Sequence, residues 1–212
     1  MEPITSGRIL EIRGLHRSQG RTAVLKGVDL ELSAGQRLGV LGANGSGKTT
    51  LVCTIVGLLR PHDGTLHIAG QPPGSRPAGL ALGYLPERPS LADDTVSRLM
   101  ATACAISGVD DRRSASILEE LGIDALASDR ARRLSQGQQR VVSLALALVH
   151  APALLVLDEP FTALDGETSD RVRDALARRP DTAVLATAHR EADLRGVTSA
   201  CVVLRDGVVA AS

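Results

Sequence analysis

The apolar positions of this chain fall into short runs with two different periods. Ile9 to Leu15 and Val28 to Leu32 read as strands. In the second, Val28, Leu30 and Leu32 alternate with Asp29 and Glu31, which makes one face wet and one dry. After Ala34-Gly35, Arg37 to Leu41 forms a third strand that runs into a glycine-rich loop. Lys48 to Leu59 is helical in pattern until Pro61 stops it. Asp63-Gly64 predicts a hairpin-type turn between short extended pieces, with Leu66 and Ile68 on one side. Leu80 to Leu85 is another apolar strand candidate.

From about Leu91 to Arg133 the pattern changes. Val96, Leu99, Met100 and Ala103 recur with the period of an amphipathic helix. Ile117, Leu118 and Leu121 begin a second helix, which Gly122 ends. This stretch reads as a small helical subdomain inserted in an α/β core. Beyond it, Val141 to Val149 is a buried helix, Leu154 to Leu157 a buried strand and Ser169 to Ala177 a helix. Ala183 to Ala186 and Cys201 to Leu204 complete the strands. The order is β-rich first and then alternating β and α, which predicts a parallel sheet covered by helices.

Composition sharpens that picture. A chain of 212 residues is long enough for one domain, here residues 1–212, with its own core. Lys plus Arg is 24 and Asp plus Glu is 24, so the basic surplus of a nucleic-acid partner is missing. The aromatics are Tyr84 and Phe161, too few for base stacking, and the core must be built from Ala, Val, Leu and Ile. Cys53, Cys104 and Cys201 are far apart, without a C-x-x-C pair, and read as buried free thiols in a reducing compartment. Met1 to Ser6 has no basic stretch followed by an apolar one, so no signal peptide is expected. Val141 to Val149 is far short of the ~20 apolar residues of a bilayer span. A soluble, cytoplasmic protein is the expectation.

Candidate chemistry begins at Gly42-Ala43-Asn44-Gly45-Ser46-Gly47-Lys48-Thr49, which fits G-x-x-x-x-G-K-[ST] between a strand and a helix. The glycines let the backbone curl so that successive N–H groups point at phosphate oxygens. The helix that follows adds its positive end. Lys48 would reach the outer phosphates, and the Thr49 hydroxyl would complete a Mg²⁺ shell.

Leu154-Leu155-Val156-Leu157 ends in Asp158-Glu159-Pro160. Ligands of parallel sheets sit at the carboxyl ends of strands, which puts Asp158 beside the phosphate loop as a Mg²⁺ holder. Pro160 biases Glu159 away from helical angles and predicts an extended backbone there. Glu159 could then take a proton from the water that attacks the γ-phosphate; otherwise the two acids merely cap the next helix. Leu134-Ser135-Gln136-Gly137-Gln138 opens a helix with the S-x-x-Q capping box. Gly137 is a poor choice for a first turn, and a hydroxyl beside bare backbone is also a phosphate site. Spacing alone leaves both readings open.

Together these residues resemble the ATP-binding subunits of ABC transporters, over essentially the whole chain. Gly42 to Thr49 looks like the Walker A loop, Leu154 to Glu159 the Walker B strand and Leu134 to Gln138 the signature loop. Ala163-Leu164-Asp165 looks like the D-loop and His189 the switch histidine. The resemblance implies an α/β P-loop NTPase fold with an antiparallel β subdomain and the helical insert at about 91–133. It implies ATP on Gly42, Ala43, Asn44, Gly45, Ser46, Gly47, Lys48, Thr49 and Thr50, with Mg²⁺ on Thr49, Asp158 and Glu87. Catalysis falls to Glu159 and His189. In this family two subunits pair head to tail, so Ser135, Gln136, Gly137, Gln138 and Asp165 would act on the ATP of the partner, a homodimer being expected. Integral membrane permease subunits would hold the pair on the cytoplasmic face of the cell membrane.

Two positions depart from the family pattern. Glu87 stands where the Q-loop glutamine belongs, a substitution familiar in subunits of ABC-2-type exporters. The aromatic expected near Gln19 to stack on adenine is missing. Glu87, the short insert and the short stretch after the last strand point to export. The rivals are a soluble ABC ATPase acting on ribosomes or DNA, a P-loop kinase or GTPase, and a weakly hydrolysing nucleotide-dependent partner subunit. The first usually needs a second ATPase domain, coiled coils or basic arms. The second needs neither Ser135 to Gln138 nor His189, and for the third Glu87 and Gln19 would mark degeneration.

Overall fold

Two strands that are buried at every position force the architecture. Leu154–Asp158 and Ala183–Ala188 expose nothing, so both faces of the sheet that holds them must be covered. The computed structural model describes residues 7–211; the stretch Met1 to Ser6, read above for a leader, lies outside them. In chain order the strands are β1 (Arg8–Gln19), β2 (Thr22–Ser33), β3 (Arg37–Leu41), β4 (Asp63–Ile68), β5 (Leu82–Leu85), β6 (Leu154–Asp158), β7 (Ala183–Ala188), β8 (Ala200–Arg205) and β9 (Val208–Ala211). The helices are α1 (Lys48–Ile55), α2 (Arg76–Ala81), α3 (Val96–Ser107), α4 (Arg112–Glu120), α5 (Gln136–Leu148) and α6 (Gly166–Ala177).

The main sheet has the order β5-β6-β7-β3-β8-β9 and is parallel except for β9. A second, antiparallel sheet has the order β2-β1-β4. Alternation along β6 and β7 divides the core. Leu154, Val156, Ala183 and Leu185 pack with Leu51, Val52 and Ile55 of α1 and with the antiparallel sheet. Leu155, Leu157, Val184 and Ala186 pack with α5 and α6 on the other face. The α3 residues Val96, Met100 and Cys104 join that second cluster, as do Ile117, Leu118 and Leu121 at the end of α4. The helical insert thus shares the core of the sheet through α5. Among the described residues, no helix is long and apolar enough to cross a membrane.

Several expectations needed correction. Asp63-Gly64 makes no hairpin turn: both residues lie in β4, where Asp63 pairs with His16. Gly64 is left-handed (φ +87°), and the Gly14 carbonyl occupies the space its Cβ would need, so close strand approach explains this glycine. The α1 helix stops at Ile55 rather than Leu59, with Gly57 turning left-handed (φ +81°). Leu80 and Ala81 belong to α2, and β5 starts at Leu82. Ile117 and Leu118 lie near the end of α4, not its beginning. The run Val208 to Ala211, too short to show a period, adds an antiparallel edge strand that the pattern missed. Cys104 is buried as expected, but Cys53 and Cys201 are only half-buried.

One contact decides how closely β5 can approach α5. A Cβ on Gly83 would run into the Ala147 carbonyl and stand 2.8 Å from Leu155 Cδ1 and 2.9 Å from Pro152 Cγ. Gly83→Ala should therefore destabilise the fold by ~2 kcal/mol through overpacking. In thermal unfolding that is a Tm lower by about 4–8 °C. An unchanged Tm would show that the strand shifts freely.

Candidate functional site

The candidate site grows from the end of β3. The loop Gly42 to Gly47 leaves the strand and turns into α1, whose N-cap, Gly47, is left-handed (φ +106°). Gly42 has no room for a side chain, because Ser46 Oγ and the Leu204 carbonyl fill it. Lys48, only 6 % exposed, donates to the Gly42 carbonyl at 2.7 Å. A cavity of about 360 Å³ opens over the loop. The residues Ala43, Asn44, Gly45, Gly47, Lys48, Thr49 and Thr50 line it, and Glu87, Glu159 and His189 close it from the other strands. Gln19 and Val24 form its remaining wall, and the Gln19 amide donates to Thr50 Oγ1 at 3.3 Å. A polar amide and a small branched side chain thus stand where a stacking ring was expected.

Beneath this cavity lies Asp158, 1 % exposed at the end of β6. Thr187 Oγ1 donates to its Oδ1 at 2.5 Å. Burial pushes the Asp158 carboxyl above the usual carboxylate range, against the pull of that hydrogen bond, and the charges of Glu87 and Glu159 push it further. Its Oδ2 is buried without a hydrogen-bond partner.

Glu159 is not extended, contrary to the expectation from Pro160. Its backbone is left-handed (φ +52°), a conformation that costs a non-glycine residue roughly 1–2 kcal/mol. Proline forbids only the right-handed region to the residue before it, and two hydrogen bonds select the rarer alternative. The Glu159 N–H donates to Thr187 Oγ1 at 3.1 Å, and Arg140 Nη1 donates to the Glu159 carbonyl at 2.8 Å. So held, Glu159 Oε1 lies 2.8 Å from His189 Nε2 and 3.8 Å from Lys48 Nζ.

The other candidate residues gather elsewhere. Ser135, Gly137, Gln138 and Asp165 line a separate cavity of about 360 Å³, which shares no residue with the one over the phosphate loop. Gln136 starts α5 beside it but does not line it. The capping box is complete, with the Gln138 N–H donating to Ser135 Oγ at 3.2 Å and the Ser135 N–H to Gln138 Oε1 at 3.0 Å. Gly137 has a packing reason too, since its Cβ would stand 2.7 Å from the Ala163 carbonyl. Asp165 caps α6 by accepting from the Thr168 N–H at 2.8 Å, which holds its exposed carboxyl below the usual range.

Two residues escaped sequence reasoning. Thr187 is the polar interruption of an otherwise apolar strand, and Arg140 is a charge at the mouth of the apolar run of α5. Arg140 is 5 % exposed and also donates to the Glu87 carbonyl. Both breaks in the pattern were visible, but neither has a spacing that names its target.

With this geometry in hand, the similarities of the chain acquire meaning. The family model described as ABC transporter matches residues 25–162. The lipopolysaccharide export system ATP-binding protein LptB of Acidithiobacillus ferridurans is 33 % identical over 95 % of this chain and 88 % of its own length. The methionine import ATP-binding protein MetN of Brucella abortus (strain 2308) is also 33 % identical, over 98 % of this chain and 60 % of its own length. The solved structure of an ATP-binding subunit of an ABC transporter superposes with a TM-score of 0.88 at 26 % identity, covering 95 % of this chain and 88 % of that one.

Asp158 offers a direct test of the electrostatics. Its folded pKa is raised, so it favours folding at pH values below its unfolded pKa, and that contribution is lost as pH rises through the folded value. Ionisation of the buried carboxyl as pH rises therefore weakens the nucleotide-free fold. Asp158→Asn should raise Tm at pH 7 and lose that advantage in acid. A variant less stable than the parent at pH 7 would contradict this electrostatic account.

Proposed function

We propose a function from the premise that this chain belongs to the ABC transporter family and is an ATP-binding subunit that hydrolyses ATP. It works as one domain over residues 1–212, dimerises head to tail on ATP, and powers export through separate membrane permease subunits. The observation that carries the dimer is the division of the site. Lys48, Glu159 and His189 share one cavity, while Ser135, Gly137 and Asp165 share another with no residue in common. Two separate half-sites are what a head-to-tail pair would join, the signature loop of one copy serving the phosphate loop of the other.

Within each site the loop N–H groups from Gly42 to Thr50 and the Lys48 amine hold the phosphates. Glu159 accepts the proton of the attacking water, and His189, already in contact with Glu159 Oε1, orients that water and the γ-phosphate. From the partner, Ser135, Gln136, Gly137 and Gln138 contact the γ-phosphate, and Asp165 links the two sites.

The residues also fit Mg²⁺. Asp158 Oδ2 is a buried oxygen without a partner, and Thr49 and Glu87 line the cavity over the phosphate loop. Among the described residues no three His, Cys, Asp or Glu form a metal cage, and Mg²⁺ beside a nucleotide needs only one or two protein oxygens. When bound, the ion neutralises phosphate charge as it develops.

Glu87, in place of the Q-loop glutamine, supports export, and the permease would keep the subunit at the cytoplasmic face of the membrane. The direction is read in inside-out vesicles carrying the permease, where ATP should drive cargo into the lumen; ATP-driven loss from the lumen would mean import. For the site itself, Glu159→Gln should lower turnover by at least about 100-fold and yield a dimer on size exclusion only when ATP is present. Turnover at the parental rate would remove Glu159 as the base. A variant that stays monomeric with saturating ATP would remove the head-to-tail pair.

A further inference from the structure

We propose that Arg140 is a positioning residue for hydrolysis, whose buried guanidinium clamps the backbones of Glu87 and Glu159 and ties α5 to the chain segments that carry both carboxylates. Arg140 lies in the second turn of α5, the helix that Ser135 caps. Its Nη1 donates to the Glu159 carbonyl at 2.8 Å, and its Nη2 donates to the carbonyl of Glu87. Both are charge-assisted bonds away from water, the kind that hold geometry most firmly. The two carbonyls follow neighbouring strands, β5 and β6, so one side chain fixes the distance between them. The charges that act on Arg140 are those of Glu87, Glu159 and Asp158.

The clamp matters because Glu159 occupies an unfavourable backbone conformation. Its left-handed φ of +52° is held on the N–H side by Thr187 and on the carbonyl side by Arg140. With the carbonyl released, Thr187 alone holds the left-handed backbone, and its relaxation moves the carboxylate away from His189 and Lys48. The same side chain sits five residues from Ser135, so a displacement of the α5 N-terminus pulls on both carboxylates together. Arg140 lines neither cavity, but through α5 and these two backbones it links the cavity at Ser135 to the cavity at Lys48, which share no residue. The inference rests on the ATPase reading for its catalytic consequence but not for the clamp itself.

The full-length chain tests both parts, with Arg140→Met removing the clamp and Arg140→Lys keeping the charge without the two-pronged geometry. In the nucleotide-free protein, amide exchange across 86–89 and 158–164 should accelerate by about 10-fold or more in Arg140→Met and by less in Arg140→Lys. In steady state, kcat should fall by roughly 10–100-fold with KM for ATP within about 3-fold of the parent, because Lys48 and its loop are untouched. Arg140→Lys should recover part of the lost kcat. A residue that only fills the core would lower Tm and leave kcat intact below the melting range. Parental exchange in both segments overturns the clamp whatever turnover does, and parental kcat in Arg140→Met overturns its role in hydrolysis. Should Arg140→Met fail to fold, Arg140→Lys alone decides by the same two readings. A parent without turnover would sink the ATPase reading, and the exchange comparison would still judge the clamp.

Discussion

The structure turns on a carboxylate held where carboxylates are least comfortable. Asp158 ends a strand whose every residue is buried, where burial pushes its carboxyl toward the neutral form and one hydroxyl, that of Thr187, eases its charge. An isolated charge so placed would neutralise or expel itself. That it stays requires Thr187 on the neighbouring strand in register, which the parallel pairing of Asp158 with Thr187 supplies. The turn from β3 into α1 brings Lys48 and Thr49 to the neighbouring cavity. The strand order suits that pairing: β7 lies between β6 and β3 and carries the hydroxyl.

Much of this was legible in the chain because it obeys strong local rules. The glycine-lysine-threonine loop is a backbone device and declares itself by glycine spacing, and the buried strands declare themselves as unbroken apolar runs. The capping box at Ser135 is also local, and the structure forms both of its hydrogen bonds. What failed was non-local. Gly64 looks like a turn residue in isolation, yet its purpose is the Gly14 carbonyl on another strand. Pro160 limits Glu159 correctly, but the choice between the remaining conformations is made by Thr187 and Arg140, both distant in sequence. Arg140 stands just before the apolar run that starts at Val141, and nothing local names the carbonyls it meets.

The helical insert is better understood as a lever than as an attachment. Its apolar side chains belong to the cluster beneath the main sheet, so it cannot swing independently of α5. A second tie reinforces this: Arg179, just beyond α6, forks onto the Glu120 carboxylate at the end of α4, with contacts of 2.8 and 2.7 Å. Those contacts hold the Glu120 carboxyl below the usual range, despite its partial burial. Both partners are mostly shielded from water, which makes the pair more than a surface ornament. The insert is thereby pinned to α6, which also carries Asp165 at its N-cap.

These connections bear on why Gly137 is a glycine. The sequence offers two explanations, a helix start or a bare phosphate-binding backbone, and the structure adds a third in the Ala163 carbonyl, which stands 2.7 Å from where a Cβ would be. The three are compatible, because close approach is what places Asp165 within the same cavity as Ser135. A side chain at 137 would push Ala163 away, and with it the turn that runs from Glu159 through Thr162 to Leu164. That turn begins at the left-handed residue, so pressure at Gly137 and tension at Arg140 act on the same short segment from its two ends.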